Sequence, residues 1–323
     1  LSLPGGRLES AALALVRRLG PDAACLAVDC NPEGFTGSRW SRYAGNGCDA
    51  SPWPTGLANR AIGLLKLNKA RDANLYALEA LRTCLLPEAP IVLFGGNDEG
   101  IKSVRQVGSV SFEVIDSLGH GRLLRGATGS GPTRQQRDFL KSAEVTLPAA
   151  GARAWTSYPG CFAQGGVDAG TLLLLQSLDT NAPALAPARV LDFACGTGVI
   201  AADVSARWPS AEVEGCDHDA VAVSAARANV PRARFVVGDG LSCIGNQMFD
   251  LVLSNPPFHD GKVRSHRVWM NFVSAVRQRL RPNGEVRVVV QREVPMEGPL
   301  RDAFTQVDRL VLHPRFAIWS ARA

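Results

Sequence analysis

From residue 190 onward the chain alternates short apolar runs, each stopping at glycine, acid or asparagine, with stretches of helical periodicity. The run at 190–193 ends in the turn Ala194-Cys195-Gly196-Thr197-Gly198, and a helix is predicted over Val199–Arg207. A second run at 212–216 stops at Asp217 before a helix at 219–229, and a third, Arg234–Val237, stops at Gly238-Asp239. The fourth, at 249–253, runs into Ser254-Asn255-Pro256-Pro257-Phe258-His259; a helix over 267–280 and a fifth run at 284–290 follow. Runs that are apolar on both faces and alternate with helices predict a mostly parallel sheet covered by helices on both sides.

The first half has a thinner version of the same pattern. It reads as a helix at 10–19, a strand at 61–67 leading to Asn68, a helix at 72–84 and a strand at 89–96. Two β-like runs at 110–116 and 121–125 close it, and the Gly-, Pro- and Arg-rich stretch 126–137 reads as a linker. The segment 61–95 parallels 249–290, which sets Asn68 against Asn255, but Lys-Leu-Asn-Lys stands where the second half has Leu-Ser-Asn-Pro-Pro-Phe. No glycine turn like 194–198 occurs in the first half either, so a duplicated half that lost its site is the expectation. The expected division is 1–145 and 146–323. Residues 31–55, rich in Gly, Pro, Ser and Asn, are expected to be irregular and match nothing that can be placed.

With 323 residues, 46% hydrophobic and 20% charged, the chain is long enough for two domains with separate cores. A formal charge of +5 is compatible with an RNA partner and does not establish one. Its eight cysteines show no Cys-x-x-Cys pair and no zinc spacing, so packed reduced thiols are expected and no metal. No apolar run approaches the roughly 20 residues of a membrane helix, so no membrane partner is expected. The sequence opens at Leu1, with Arg7, Arg17 and Arg18 among alanine and leucine. That composition suits either the flank of an organellar import signal or an ordinary first helix, leaving a cytoplasmic or an organellar compartment open.

Three acids and one amide carry the chemistry. Glycines after a strand let a ligand approach the backbone at the carboxyl end of the sheet, which makes Asp192, Ala194, Gly196 and Gly198 candidates for a cofactor site. Asp217, with His218 beside it, ends the next strand where ribose hydroxyls could be bound, or it caps the helix that follows. Asp239, next to Gly240, ends the third strand where an adenine would lie, or it serves a turn. Asn255, Pro256 and Phe258 place an amide, a proline-locked carbonyl and a flat ring around one point, a grip for a planar substrate bearing an amine, with Asn255 a candidate for the cofactor site as well.

These elements together resemble the class I S-adenosylmethionine-dependent methyltransferases. The stretches 158–171 and 254–261, with Val268-Trp269-Met270 and 280–285, are similar to the ribosomal RNA guanine-N2 methyltransferases, the small-subunit methyltransferase C and large-subunit methyltransferase G family. That likeness implies two tandem Rossmann-like methyltransferase domains, the N-terminal one degenerate and holding RNA, with S-adenosylmethionine as cofactor. In the first half, 95–103 is similar to the family's strand-five turn. Ala194 departs from the pattern, standing where many members have a glycine.

An exocyclic base amine is a poor nucleophile, because its lone pair is delocalised into the ring. The Asn255 carbonyl oxygen and the Pro256 carbonyl are expected to accept its two hydrogens and aim the nitrogen, leaving positioning as the main source of rate. Phe258 is expected to stack on the base, and a paired base would have to be flipped out. Pro257 and His259 lie next to this grip, and Lys262, Arg264 and Arg267 follow it as candidate phosphate contacts. Asp168 lies in a loop that the family places by the cofactor, or it caps a helix from Thr171. The expected partner is ribosomal RNA or a pre-ribosomal particle, with the protein acting as a monomer. Two other readings stay open: transfer to adenine N6 or a protein glutamine, and a non-catalytic assembly factor with a methyltransferase fold.

Overall fold

The computed structural model describes residues 4–183, 186–256 and 262–323; for 4–5 and 262–268 it describes the backbone alone. The chain divides into two compact units, residues 1–140 with 158–160, and residues 141–157 with 161–323.

The first unit contains α1 (Pro4–Leu19), β1 (Cys25–Val28), β2 (Ser38–Trp40), β3 (Ile62–Lys66), α2 (Arg71–Arg82) and β4 (Pro90–Gly96). A two-residue ladder, β5 (Gln106–Val107) with β6 (Val110–Ser111), precedes β7 (Glu113–Leu118) and β8 (Gly121–Ala127). The sheet order is β2-β1-β3-β4-β8-β7, parallel through β4 and antiparallel in β8 and β7. The apolar stripe of α1, with Ala12, Leu13 and Val16 buried, packs on Cys25, Leu64, Val92 and Phe94. Burying such side chains contributes about 1.5–3 kcal/mol for each large one. The stretch read as a linker is instead tied down. Residues 126–127 finish β8, and the buried Arg82 donates to the carbonyls of Thr128 (3.1 Å) and Gly131 (3.2 Å). Glu79, paired with Arg82 at 2.7 Å, accepts from the Arg134 N–H at 3.0 Å.

The second unit opens with a hairpin, β9 (Lys141–Leu147) and β10 (Gly151–Ser157), then α3 (Ala169–Thr180), β11 (Arg189–Phe193) and α4 (Val199–Arg207). There follow β12 (Glu212–Asp217), α5 (Ala220–Asn229), β13 (Arg234–Val237), β14 (Phe249–Ser254) and α6 (Lys262–Arg277). Next come β15 (Leu280–Gln291), α7 (Glu297–Ala303), β16 (Gln306–Leu312) and β17 (Phe316–Arg322). The order is β13-β12-β11-β14-β15-β17-β16, with only β17 antiparallel to its neighbours. This is the first unit's order with one more strand at the β13 edge. Five parallel strands flanked by helices match the α/β expectation for this half, and α4 and β13 fall where the periodicity put them.

Two features fix the parts that matter below. Asn229 at the end of α5 donates to the carbonyls of Thr156 (2.9 Å) and Thr197 (3.0 Å), and Trp155 donates to Thr197 Oγ1 at 3.0 Å. The hairpin is thereby fastened to the glycine turn. The buried Arg287 on β15 pairs with Glu285 and donates to the Ser177 carbonyl at 3.1 Å, which pins α3 to the sheet. A buried pair of this kind holds position more than it adds stability.

Candidate active site

The carboxyl end of the second sheet is where the parallel strands stop together, and the turn after β11 shapes it. Ala194 has φ 58°, Gly196 φ 51° and Gly198 φ 88°, so three of five turn residues are left-handed. For alanine that conformation costs about 1–2 kcal/mol. A methyl group at Gly196 would meet nothing within 4 Å, so that face of the turn opens onto free space.

Asp217 at the end of β12 holds the turn from the side. Its carboxylate accepts from the N–H groups of Gly196 (2.8 Å) and Asp219 (2.9 Å), and His218 Nδ1 lies 3.2 Å away. The helix-cap alternative belongs to Asp219 instead, which accepts from the Val221 N–H at 2.9 Å. Burial pushes the Asp217 carboxyl up, but the His218 hydrogen bond and charge and the two N–H donors outweigh it, and the net shift is down. The same contact, acting against burial, raises the His218 imidazole.

Asp192 is fully buried one strand position before the turn. One of its oxygens accepts from the Ala201 N–H at 3.0 Å; the other has no partner among the described residues. Burial raises its carboxyl to about 8, with the Asp217 charge adding to the effect against the Ala201 bond. Asp192 therefore keeps one unused acceptor atom, closed off from solvent.

Between these groups lies a cavity of about 560 Å³. Ala194, Asp217, His218, Asp239, Gly240 and Pro256 line it, which brings together the strand ends of β11, β12, β13 and β14, while Asp192, Gly196, Gly198 and Asn255 are not part of the lining. The sequence did not single out as site residues Phe193, Cys216, Gly238, Leu241, Asn271, Phe272 and Ala275, which complete the lining. The last three sit on α6, which starts five residues before the expected 267, and the Phe272 ring lies tilted against Phe193 with centroids 5.1 Å apart. Spacing of 271, 272 and 275 on one helix face was the available signal.

Asn255 follows β14 and is half-buried beside Pro256. Its amide nitrogen donates to Asp168 Oδ2 (3.0 Å) and Thr171 Oγ1 (2.8 Å). Asp168 is also the N-cap of α3, accepting from the N–H groups of Gly170 (2.8 Å) and Thr171 (3.2 Å). Ser254 Oγ donates to the Phe193 carbonyl at 2.8 Å, locking the ends of β14 and β11 together. Pro257, Phe258 and His259 lie outside the described residues. Lys262, Arg264 and Arg267 fall on the first turns of α6, and their side chains lie outside the description. Among the described residues no cluster of acids, histidines or cysteines could hold a metal, and no helix is long and apolar enough to cross a membrane.

The strand order, the left-handed turn and the cavity define an α/β methyltransferase, and the methyltransferase small domain matches residues 153–320. The chain belongs to that family, and within it to the ribosomal RNA small subunit methyltransferase C group. The protein of that name from Stutzerimonas stutzeri is 33% identical over 242 residues, 73% of this chain and 70% of its own length. The one from Ectopseudomonas mendocina is 32% identical over 288 residues, 87% of this chain and 85% of its own. Among solved structures, the T. thermophilus 16S rRNA N2 methyltransferase in complex with AdoMet and guanosine shares the fold, with a TM-score of 0.78 at 19% identity. That alignment covers 100% of this chain and 96% of the other, so the fold of both units is of this kind.

Proposed function

We propose that this protein methylates the exocyclic N2 amine of a guanine in small-subunit ribosomal RNA, using S-adenosylmethionine. The observation that carries the reading is the Asn255 amide, fixed through its nitrogen by Asp168 and Thr171 beside Pro256 at the rim of the strand-end cavity. When bound, the cofactor supplies an electrophilic methyl group on a sulfonium sulfur. The residues present fit it: Asp217 is set for ribose hydroxyls, Asp239 and Gly240 for the adenine edge, and the orphaned oxygen of Asp192 for the ammonium of the methionine part. The Gly196 face leaves room for close approach of the backbone.

On the acceptor side the Asn255 carbonyl oxygen and the Pro256 carbonyl take the two amine hydrogens. That arrangement aims the nitrogen and draws electron density onto it, so rate comes from positioning and from acceptors placed in advance. No strong base is required before transfer, since the amine is neutral and sheds its proton afterwards. Phe258 stacks on the flipped base, and Pro257, His259, Lys262, Arg264 and Arg267 hold the neighbouring nucleotides. The first unit holds RNA and takes no part in chemistry, and the protein works as a monomer where ribosomal subunits are assembled.

Nucleoside mass spectrometry of small-subunit RNA incubated with the protein and cofactor tests this. N2-methylguanosine is the expected product. N6-methyladenosine would move the acceptor to adenine, and no transfer despite cofactor binding would favour the assembly-factor reading.

A further inference from the structure

Asn255 can present either its oxygen or its nitrogen to a substrate, and only the oxygen can accept an amine hydrogen. The backbone does not choose between the two; the surroundings do. Both hydrogens of Asn255 Nδ2 are engaged, one by Asp168 Oδ2 at 3.0 Å and one by Thr171 Oγ1 at 2.8 Å. Asp168 Oδ2 is in turn held by two backbone N–H groups at the start of α3, Gly170 at 2.8 Å and Thr171 at 3.2 Å. Thr171 is buried, and α3 is pinned at its far end through Arg287 and the Ser177 carbonyl.

We propose that Asp168 and Thr171 are positioning residues that lock the Asn255 side chain with its carbonyl oxygen toward the acceptor amine. This rests on the methyltransferase reading above and adds the part of the site that sets amide orientation. The asymmetry comes from Asp168. The Asp168 oxygen already receives two backbone N–H groups and serves as an acceptor, so a turned Asn255 would set oxygen against oxygen and lose the Asp168 bond. A threonine hydroxyl accepts or donates and would tolerate either orientation, so Thr171 tightens the lock and Asp168 gives it direction. The sequence offered Asp168 two roles, contact with the site or helix cap, and the geometry uses one oxygen for both.

Three variants separate positioning from capping. Asparagine caps helices as well as aspartate does, but in Asp168→Asn the oxygen that serves the same three donors is neutral, so the charge-assisted hold on Asn255 is weakened. The expected result is kcat lowered by up to about 100-fold, the scale for a misplaced group at a reacting centre. S-adenosylmethionine affinity and melting temperature should stay close to those of the parent. Thr171→Val should lower kcat by a smaller factor, and Thr171→Ser should recover most of that loss. A kcat for Asp168→Asn equal to that of the parent would overturn the proposal, as would an equal loss for Thr171→Ser and Thr171→Val.

A second readout does not depend on which amine is methylated. In ¹⁵N spectra of the full chain, the side-chain NH₂ pair assigned to Asn255 by its loss in Asn255→Ala should exchange slowly with solvent. It should exchange at least about tenfold faster in Asp168→Asn, as expected when a charge-assisted hydrogen bond is removed. Unchanged exchange would sink the lock even if guanine methylation is demonstrated. Slow exchange in the parent would uphold it even if the acceptor proves to be another amine.

Discussion

The two sheets share a strand order, and their carboxyl ends differ residue by residue. In the first unit Val28 pairs with Leu65 and Trp40; in the second Phe193 pairs with Ser254 and Cys216. Each register is followed by a left-handed residue, Asp29 (φ 53°) or Ala194 (φ 58°). Counting from these anchors, Asp192 corresponds to Ala27, Asp217 to Ser41 and Asn255 to Lys66. The strand that ends at Asp239 has no counterpart in the first sheet.

What replaces the open end is a set of bridges from the segment that matched nothing. Ser41 Oγ and the Arg42 N–H both donate to Asp29 Oδ1, at 2.9 and 3.1 Å, and Asn68 donates to the Tyr43 hydroxyl at 2.9 Å. Arg42, fully buried, donates to the Pro159 carbonyl at 2.8 Å and lies over the Tyr43 and Tyr76 rings. Residues 41–43 thus knit the ends of β1 and β3, where the second unit has its cavity. The lesson is that the strand order supplies a place for a site and the strand-end residues decide whether one exists.

The comparison can be broken most severely at Asn255. Asn255→Ala should remove methyl transfer by about 10²–10³-fold or more, while calorimetry finds S-adenosylmethionine affinity within a few-fold of the parent. A large affinity loss would mean that Asn255 serves the cofactor instead of the acceptor. Next in size is Asp217→Ser, which installs the first unit's residue. It should weaken cofactor binding by about 10–100-fold, as for a lost charged hydrogen-bond partner of about 1.5–3 kcal/mol, and saturating cofactor should restore most of kcat. Unaltered affinity would remove Asp217 from the ribose role.

Asp192 sharpens the contrast with Ala27 through pH. Its folded-state carboxyl lies near 8, above the unfolded value, so the native state holds the extra proton between about pH 4 and 8. Its contribution to stability is therefore present at low pH and lost as pH rises toward 8. Asp217, shifted down, acts in the opposite sense, with stability present above the unfolded carboxylate value and lost on acidification. Without cofactor, Asp192→Asn should flatten the fall in melting temperature between pH 5 and 8. A slope identical to the parent's would show that Asp192 does not hold that proton. The smallest effect is expected at Ala194→Gly, where relief of the left-handed alanine should raise stability by about 1 kcal/mol or less. Chemical denaturation showing a loss would mean that the methyl group packs usefully in the cavity wall.

Much of the second unit was legible because its strands are apolar on both faces and its breaks are glycines and acids. The hairpin of β9 and β10 was not, since most of β9 is exposed and its pattern gives little apolar alternation. The equivalence of Asn68 with Asn255 was two residues out: the strand registers place Lys66 there, and sequence pattern alone cannot fix a register to that accuracy. Asn68 instead accepts from the Ala70 N–H at 2.9 Å, opening α2. Asn255 could be singled out from its neighbours, but its hold on Asp168 joins residues 87 positions apart and required the fold.

The most direct test of the contrast between the two strand ends is the stoichiometry of S-adenosylmethionine binding to the full chain, measured by calorimetry. One equivalent per chain, weakened by Asp217→Ser and untouched by Ser41→Ala, is the predicted result. Two equivalents, or one that survives Asp217→Ser and is lost with Ser41→Ala, would contradict the account.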